Sequence, residues 1–341
     1  MFEKGSHSGF ALMCIIASLL MLTVACGGSN GGGDSVDYDG NREPAEITGD
    51  NAQALAVSAY ESRSLTGPFG SIASLNVSND GAADASEAAA AIKGRPAMLT
   101  VAQVLEAALE EALQFEAVEP VSARALERYS ETINGSCGGS ARISFQFDTI
   151  TGVFSGDIAF NGYCNDGTAI EGSTSIEGRV DPATEALEYF TFSFNSLVGT
   201  VDGESFNLQG SMTLSRNASR DRTTITMDLL SSYSAAGETL WLSGFTISVT
   251  EGVDDGTPYD EIELSGRIYH AVHGYVDIRT DVAFRIEGSD ENPNEGVLVL
   301  TGADDARVVL TVISNSQYEV EADCDGDGSI DYGPQPYNWD E

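Results

Sequence analysis

Oxygen-bearing side chains alternate along the segment DCDGDGSID, residues 323–331, and this pattern has the most specific chemistry in the chain. Carboxylate and carbonyl oxygens are the ligands that Ca²⁺ prefers, and a glycine between them lets a loop turn sharply around the ion. The spacing matches positions 1, 3, 5, 7 and 9 of a calcium-binding loop. The sequence therefore predicts calcium as a cofactor, held by Asp323, Asp325, Asp327, the Ser329 backbone carbonyl and Asp331.

A second interpretation of this segment stays open. The loop resembles an EF-hand or a related DxDGDG calcium loop, but Pro334 stands at position 12, where a bidentate Glu is expected. No helical pattern brackets the loop on either side. Asp-Gly sequences also form ordinary β-turns, so an acidic turn without a metal would explain the same residues. If the loop does bind calcium, the missing ligand predicts weak affinity.

The start of the chain has the features of an export signal. An uncharged hydrophobic run at residues 10–22 leads into Thr-Val-Ala-Cys at 23–26, and glycine-rich sequence follows. This order is typical of a bacterial lipoprotein signal peptide, here residues 1–25. The run is shorter than the roughly 20 apolar residues of a membrane-spanning helix. We therefore expect lipidation of Cys26 and a lipid anchor in the bacterial cell envelope. Gly27 favours the outer membrane under the usual lipoprotein sorting rule.

The charge of the chain restricts its partners. The sequence has 53 Asp and Glu against 16 Lys and Arg, a formal net charge of −37. Such a field repels phosphate backbones and anionic lipid heads, so nucleic acid is not expected as a partner, whereas cations are. The sequence does not identify a protein or glycan partner.

The cysteines agree with export. With Cys14 in the signal and Cys26 lipidated, three remain. Cys137 and Cys164 both lie in turn-like sequence beside predicted strands, so we expect a disulfide between them and a free Cys324. Closing a loop of about 27 residues in this way stabilises a fold by roughly 3.5 kcal/mol in the chain-entropy model. Two buried free thiols are the alternative.

The N-terminal part of the mature chain is predicted to be a tether followed by helices. Residues 26–48 are rich in Gly, Ser and Asp and lack apolar periodicity, which predicts a flexible tether. Residues 49–128 form a helical and loop segment. Within it, residues 50–62 have helical spacing with Asp50 as the cap, and residues 101–115 form the clearest amphipathic helix.

From residue 129 to 341 the apolar period changes to two. Ile143, Phe145 and Phe147 alternate with polar residues, and similar runs recur every ten to fifteen residues or so, separated by Gly, Asp and Asn. No helical pattern is available for parallel crossovers. The sequence predicts a mainly β fold: an antiparallel meander of about twelve strands, forming a sandwich or a barrel-like curved sheet, with one or two N-terminal helices.

Two other groups have candidate chemistry with simpler explanations. His270 and His273 have the spacing of a partial zinc site, but their segment is typical of a solvated hairpin. Tyr332, Tyr337 and Trp339 could form an aromatic platform for sugars, or pack the end of the chain onto the sheet. Many carboxylates are present and none is distinguished by its motif, so no catalytic residue is predicted.

The C-terminal part of the chain resembles a group of uncharacterised bacterial lipoproteins with a strand-rich body and a DxDGDG tail. The resemblance rests on the segments CGGSARISFQFD, WLSGFTISVTEG, GRIYHAVHGYVDIRT and YEVEADCDGDGSIDYG. The resemblance covers roughly the last 200 residues and implies export, a β-rich fold and calcium, but no known activity. The leading hypothesis is a membrane-anchored, non-enzymatic lipoprotein with a structural or ligand-binding role. An exported hydrolase acting on carbohydrate, or a lipid or lipoprotein carrier with an apolar cavity, are the alternatives.

Overall fold

The computed structural model describes residues 38–63, 126–165, 167–184, 186–201, 203–233, 238–288 and 290–339. These residues belong to one compact unit, Val36–Glu341. They contain one α-helix, α1 (Ala52–Glu61), and fourteen strands. The strands are β1 (Leu126–Asn134), β2 (Gly138–Asp148), β3 (Val153–Asn165), β4 (Thr168–Val180), β5 (Leu187–Val201), β6 (Glu204–Asn217), β7 (Arg222–Tyr233), β8 (Glu238–Asp254), β9 (Thr257–His270), β10 (Gly274–Glu287), β11 (Glu295–Thr301), β12 (Arg307–Ser314), β13 (Gln317–Asp323) and β14 (Tyr332–Asn338).

All fourteen strands form a single antiparallel meander in which each strand pairs with the next along the chain. The mainly β prediction is confirmed. The sheet is not closed, because β1 pairs only with β2 and β14 only with β13 among the described residues. The predicted number of about twelve strands is too low. Strand β1 has no clear alternation, and β14 contains Pro334 and Pro336, which interrupt strand pairing and are tolerated at a sheet edge.

One face of the meander is apolar and buried. Along β5, buried Phe190, Phe192 and Phe194 alternate with the polar residues Thr191 and Ser193. The same alternation recurs in the other long strands, and the buried side chains form one continuous cluster from β2 to β13 that also includes α1. Each fully buried aromatic or aliphatic side chain contributes about 1.5 to 3 kcal/mol. Burial of this face is therefore the main source of stability.

A band of kinks crosses the sheet from β2 to β9. At alternate strand pairs, a glycine with positive φ lies against the backbone of the neighbouring strand. The pairs are Gly139 with Gly162, Gly172 with Ser196, Gly210 with Asp228, and Gly266 with Gly244. Most of these points coincide with shifts in strand register. Bulges of this kind bend a strand and increase its twist, so the band bends the sheet.

Residues 38–48 are not the free tether that their composition predicts. Tyr38, Ala45 and Ile47 are buried, and the N–H of Ala45 donates to the Tyr275 carbonyl at 2.8 Å. The stretch pairs with the start of β10, where β11 does not reach. Burial of these three apolar side chains holds this stretch on the domain together with backbone hydrogen bonds, such as that from the Tyr275 N–H to the Glu43 carbonyl at 2.9 Å. The predicted tether would therefore have to end before Tyr38.

Helix α1 confirms the helix predicted at residues 50–62. It packs on β11, β12 and β13 through Leu55, Ala56 and Ala59. Its N-cap is Asn51 rather than Asp50, and the Asn51 side chain accepts a hydrogen bond from the Thr48 N–H at 2.9 Å. The helix predicted at residues 101–115 lies outside the described residues.

Glycine at position 210 should be indispensable for the bent sheet. Its φ is +116°, and a Cβ there would overlap the Asp228 carbonyl oxygen. We expect Gly210→Ala to lower the free energy of unfolding by about 3 kcal/mol, the upper end for a backbone forced into a sparsely populated region. Urea denaturation followed by circular dichroism measures the change.

Gly244→Ala is the matched control, because its φ is +54° and nothing lies within 4 Å of a Cβ at that position. We expect Gly244→Ala to lower the free energy of unfolding by about 1 kcal/mol, which is the strain of a non-glycine residue in the left-handed region. Equal losses in the two variants would show that close approach of the strands is not what requires glycine at position 210.

Candidate metal centre

The carboxylates of Asp323, Asp325 and Asp327 come together in the loop between β13 and β14. One ligand oxygen from each lies within 4.8 Å of the others. Asp323 is the last residue of β13 and is 7% exposed, whereas Asp325 and Asp327 are exposed. Strand β13 therefore fixes the position of the Asp323 carboxylate, and the loop that follows places the Asp325 and Asp327 carboxylates near it.

Backbone N–H groups hold these carboxylates in place. Gly326 and Gly328 both donate to Asp323, one to each carboxylate oxygen, at 2.8 Å. Asp325 Oδ1 accepts from the Asp327 N–H at 3.2 Å, and Asp327 Oδ1 accepts from the Ser329 N–H at 2.7 Å. Each oxygen keeps a further lone pair. The loop is thus wound around its own carboxylates, with three of them turned toward one another.

The other two predicted ligands have different contacts. Asp331 is not part of the three-carboxylate group; its Oδ2 accepts from the Cys324 N–H at 2.8 Å. The Asp331 N–H donates to the Ala322 carbonyl at 2.9 Å, which closes the base of the loop. Ser329 contributes the N–H bonded to Asp327. The structure therefore brings Asp323, Asp325 and Asp327 together and ties Asp331 to the base of the loop.

A second acidic turn, residues 302–306, lies against this loop and was not predicted from the sequence. A Cβ on Gly326 would overlap the backbone of Asp304, so the two segments are in close contact. Asp304 and Asp305 have φ of +53° and +62° and are exposed. Asp tolerates this left-handed region better than most residues, and the pair Asp-Asp beside Gly302 is the signal that could have indicated the turn. The turn adds two carboxylates to an already negative end of the sheet.

Cys324 lies inside the acidic loop without a disulfide partner. Burial raises the pKa of its thiol, and the carboxylates of Asp331, Asp323 and Asp325 raise that pKa further. Because a thiol must lose its proton to bind a metal, this environment disfavours sulfur ligation. The available ligands are oxygens, which suit hard cations such as Ca²⁺, Mg²⁺ or Mn²⁺ rather than zinc.

The predicted disulfide between Cys137 and Cys164 is present, with Cα atoms 5.1 Å apart. It joins the β1–β2 turn to the end of β3. The Cys137 N–H also donates to the Cys164 carbonyl at 3.2 Å, and Ser136 Oγ donates to Asn165 Oδ1 at 2.7 Å. The bridge therefore links the first three strands of the meander at the β1–β2 turn.

The two histidines form part of a hairpin. His270 ends β9, and its Nδ1 accepts from the N–H groups of Val272 and His273 at 3.3 and 3.4 Å. That nitrogen is thus used to hold the turn. Among the described residues, neither histidine belongs to a group of potential metal ligands.

The C-terminal aromatic residues pack onto the domain. The Tyr332 and Tyr337 hydroxyls are hydrogen-bonded at 2.6 Å, and the Trp339 ring packs at a tilt against the rings of Tyr318 and Tyr60, with centroids 4.4 and 4.8 Å apart. These contacts tie β14 to β13 and α1. Of the two interpretations of Tyr332, Tyr337 and Trp339, the structure therefore agrees with packing of the chain end onto the sheet.

Cys26 lies outside the described residues, and its lipidation stays a prediction. No helix in the part of the chain that the structure describes is long and apolar enough to cross a membrane. Comparison of the chain with known protein families, with curated proteins and with solved structures finds no match. The resemblance to bacterial lipoproteins likewise remains a prediction.

Reduction of the disulfide should destabilise the domain. The bridge closes 27 residues of sequence, so Cys137→Ser/Cys164→Ser should lose roughly 3.5 kcal/mol of unfolding free energy in the chain-entropy model. Urea titration of the variant and the wild type measures this difference. Cys324→Ser is the control: it removes a partly buried thiol that forms no disulfide, and it should cost only about 1 kcal/mol, the typical loss for a single substitution. Peptide mapping that finds Cys324 bridged would contradict the assignment.

Proposed function

We propose that this protein is an exported lipoprotein with a non-enzymatic, structural or ligand-binding role, held in the bacterial cell envelope by acyl chains on Cys26. The observation that carries the proposal is the disulfide between Cys137 and Cys164. Disulfides persist in oxidising compartments and are rare in the cytosol. The bridge therefore supports the export that the hydrophobic run before Cys26 predicts.

The lipid anchor follows from the sequence and is compatible with the packing of the N-terminal segment. Each buried CH₂ of an acyl chain contributes about 0.8 kcal/mol, so more than one chain is needed for stable anchoring. The Gly-rich stretch after Cys26 separates the anchor from Tyr38, the first described residue, which is buried against Trp241 and Tyr269. Gly27 supports the outer membrane as the location.

Calcium is the cation that we assign to the loop of Asp323, Asp325 and Asp327. Calcium binds oxygens at 2.3 to 2.6 Å, so ligands on opposite sides of the ion lie about 5 Å apart. The three carboxylate oxygens lie within 4.8 Å of one another, which fits such a shell. Calcium also accepts irregular sets of six to eight oxygens, whereas magnesium requires a near-octahedral shell. The missing Glu at position 12 and exposure of two carboxylates suggest weak binding.

The lipid anchor can be tested by replacing the acceptor thiol. Cys26→Ser should abolish acylation and move the protein from the detergent phase to the aqueous phase of a Triton X-114 partition. Cys14→Ser, in the same hydrophobic run, is the control and should leave the partition unchanged. Mass spectrometry of the wild-type N-terminal peptide should detect acyl groups on Cys26. A wild-type protein without lipid would refute the anchor.

Calcium should stabilise the wild-type protein by RT ln(1 + [Ca²⁺]/Kd), about 2.7 kcal/mol at a hundredfold excess over Kd. Asp325→Asn/Asp327→Asn should remove this gain, because two of the three converging carboxylates lose their charge. Thermal unfolding at fixed ionic strength measures the shift. Magnesium should replace calcium poorly.

A nonspecific effect of divalent ions on so acidic a chain needs a control with the same charge change. Asp221→Asn/Asp255→Asn removes two charges from exposed turns elsewhere, at φ of +45° and +49°, where Asn is equally tolerated. This variant should keep the full calcium response. An equal loss of response in both variants would identify the loop as an ordinary acidic turn.

A further inference from the structure

A concavity of about 380 Å³ lies on the polar face of the sheet, across β2, β3, β4 and β5. Its size is within the range of small-molecule sites. It is on the opposite face from the apolar core. The side chains that give it its chemistry are Ser144, Gln146, Asp157, Ser175, Glu177 and Ser193.

Strand register arranges these groups in two rows. Asp157 lies between Ser144 and Ser175 in one row, and Glu177 lies between Ser155 and Thr191 in the next. Neighbouring strands are about 4.8 Å apart, so each carboxylate is flanked by hydroxyls on both sides. Short Ser and Thr side chains leave room between the longer ones, and this creates the depression.

The longer groups of the concavity have no partner in the part of the chain that the structure describes. Among the described residues, no hydrogen bond or ion pair engages the side chains of Gln146, Asp157 or Glu177. Three carboxylates of β9 and β10 are instead paired with arginine. The pairs are Glu263 with Arg222 at 2.7 Å, Asp277 with Arg267 at 2.7 Å, and Glu287 with Arg285 at 2.9 Å. The acceptors of the concavity are therefore available to a ligand, whereas those three carboxylates are engaged by arginine.

An aromatic side chain lies on the same face beyond the row of Glu177, outside the residues that line the concavity. Tyr189 is two residues before Thr191 in β5, on the same face, and is 38% exposed. Its ring has an apolar face and a polar hydroxyl. Sugars present the complementary surface, with C–H groups on one face of the ring and hydroxyls around its edge. Carboxylates accept hydrogen bonds from hydroxyls especially strongly.

We propose that this concavity binds a neutral glycan. Asp157 and Glu177 accept hydrogen bonds from sugar hydroxyls, and Gln146 and the serines donate and accept further ones. Tyr189 packs against the ring of a further sugar unit that extends past Glu177. The charge of −37 opposes an anionic ligand. A small cation would engage the two carboxylates but leave the amide and the surrounding hydroxyls without a role. The proposal does not depend on the lipid anchor or on calcium.

Saturation-transfer NMR and calorimetry on the full mature protein, solubilised in a sugar-free detergent, test the proposal. The probes are cellotriose, laminaritriose and maltotriose. At least one of them should show saturation transfer. Asp157→Asn/Glu177→Gln should weaken its binding at least tenfold, because both charged acceptors are lost. The substituted side chains are exposed, so the fold should be retained, and circular dichroism checks this.

Glu171→Gln is the matched control. Glu171 lies on the same face of β4 as Glu177, six residues or about 20 Å away, and is exposed. Its substitution should change the affinity less than twofold. The proposal is overturned if none of the three trisaccharides binds, or if the control weakens binding as much as the double variant. It is also overturned if trilysine binds at Asp157 and Glu177 while the sugars do not.

Discussion

Burial of a single apolar face along a fourteen-stranded meander is the constraint on which the other features of this protein depend. A flat sheet of this width would leave much of that face in water, and the strands must bend for the core to become continuous. Glycines such as Gly172 and Gly210 allow the bend, because their φ values of +119° and +116° are closed to side-chain-bearing residues. The kinks are thus a condition for the hydrophobic stabilisation rather than local irregularities.

In the same architecture, the residues that stabilise the fold and the residues with reactive or polar groups lie on opposite faces of the sheet. Apolar side chains occupy the inner face, so polar residues on the outer face are free to vary in character from one region to the next. Over β7 to β10, arginines such as Arg222 and Arg267 neutralise nearby carboxylates. In the concavity on β2 to β5, hydroxyls surround Asp157 and Glu177. At the C-terminal end, backbone N–H groups converge on carboxylates that repel one another. A strongly acidic chain therefore uses three different means to accommodate its charge.

Local patterns were sufficient for several sequence predictions. Alternating apolar residues, as at Ile143, Phe145 and Phe147, predict strands because side chains on a strand point alternately to its two faces. Helix α1 and the bridge between Cys137 and Cys164 were also predicted correctly, since helical spacing and turn-like flanks are short-range signals. The number of strands was underestimated and the attachment of Tyr38 was not predicted, because segments such as β1 and β14 gain their conformation from the neighbouring part of the sheet rather than from their own pattern.

The sequence by itself determined the class of fold, the disulfide and the chemical character of the acidic loop, because each is encoded by residues close together along the chain. Only the tertiary structure decided which groups meet. It brought Asp323, Asp325 and Asp327 together while Asp331 bonds to the Cys324 backbone. It also placed Asp157 and Glu177 on adjacent strands, which no spacing in the sequence indicates. Strand register and the bends at the glycine kinks set these distances, and both depend on contacts between residues far apart in the sequence.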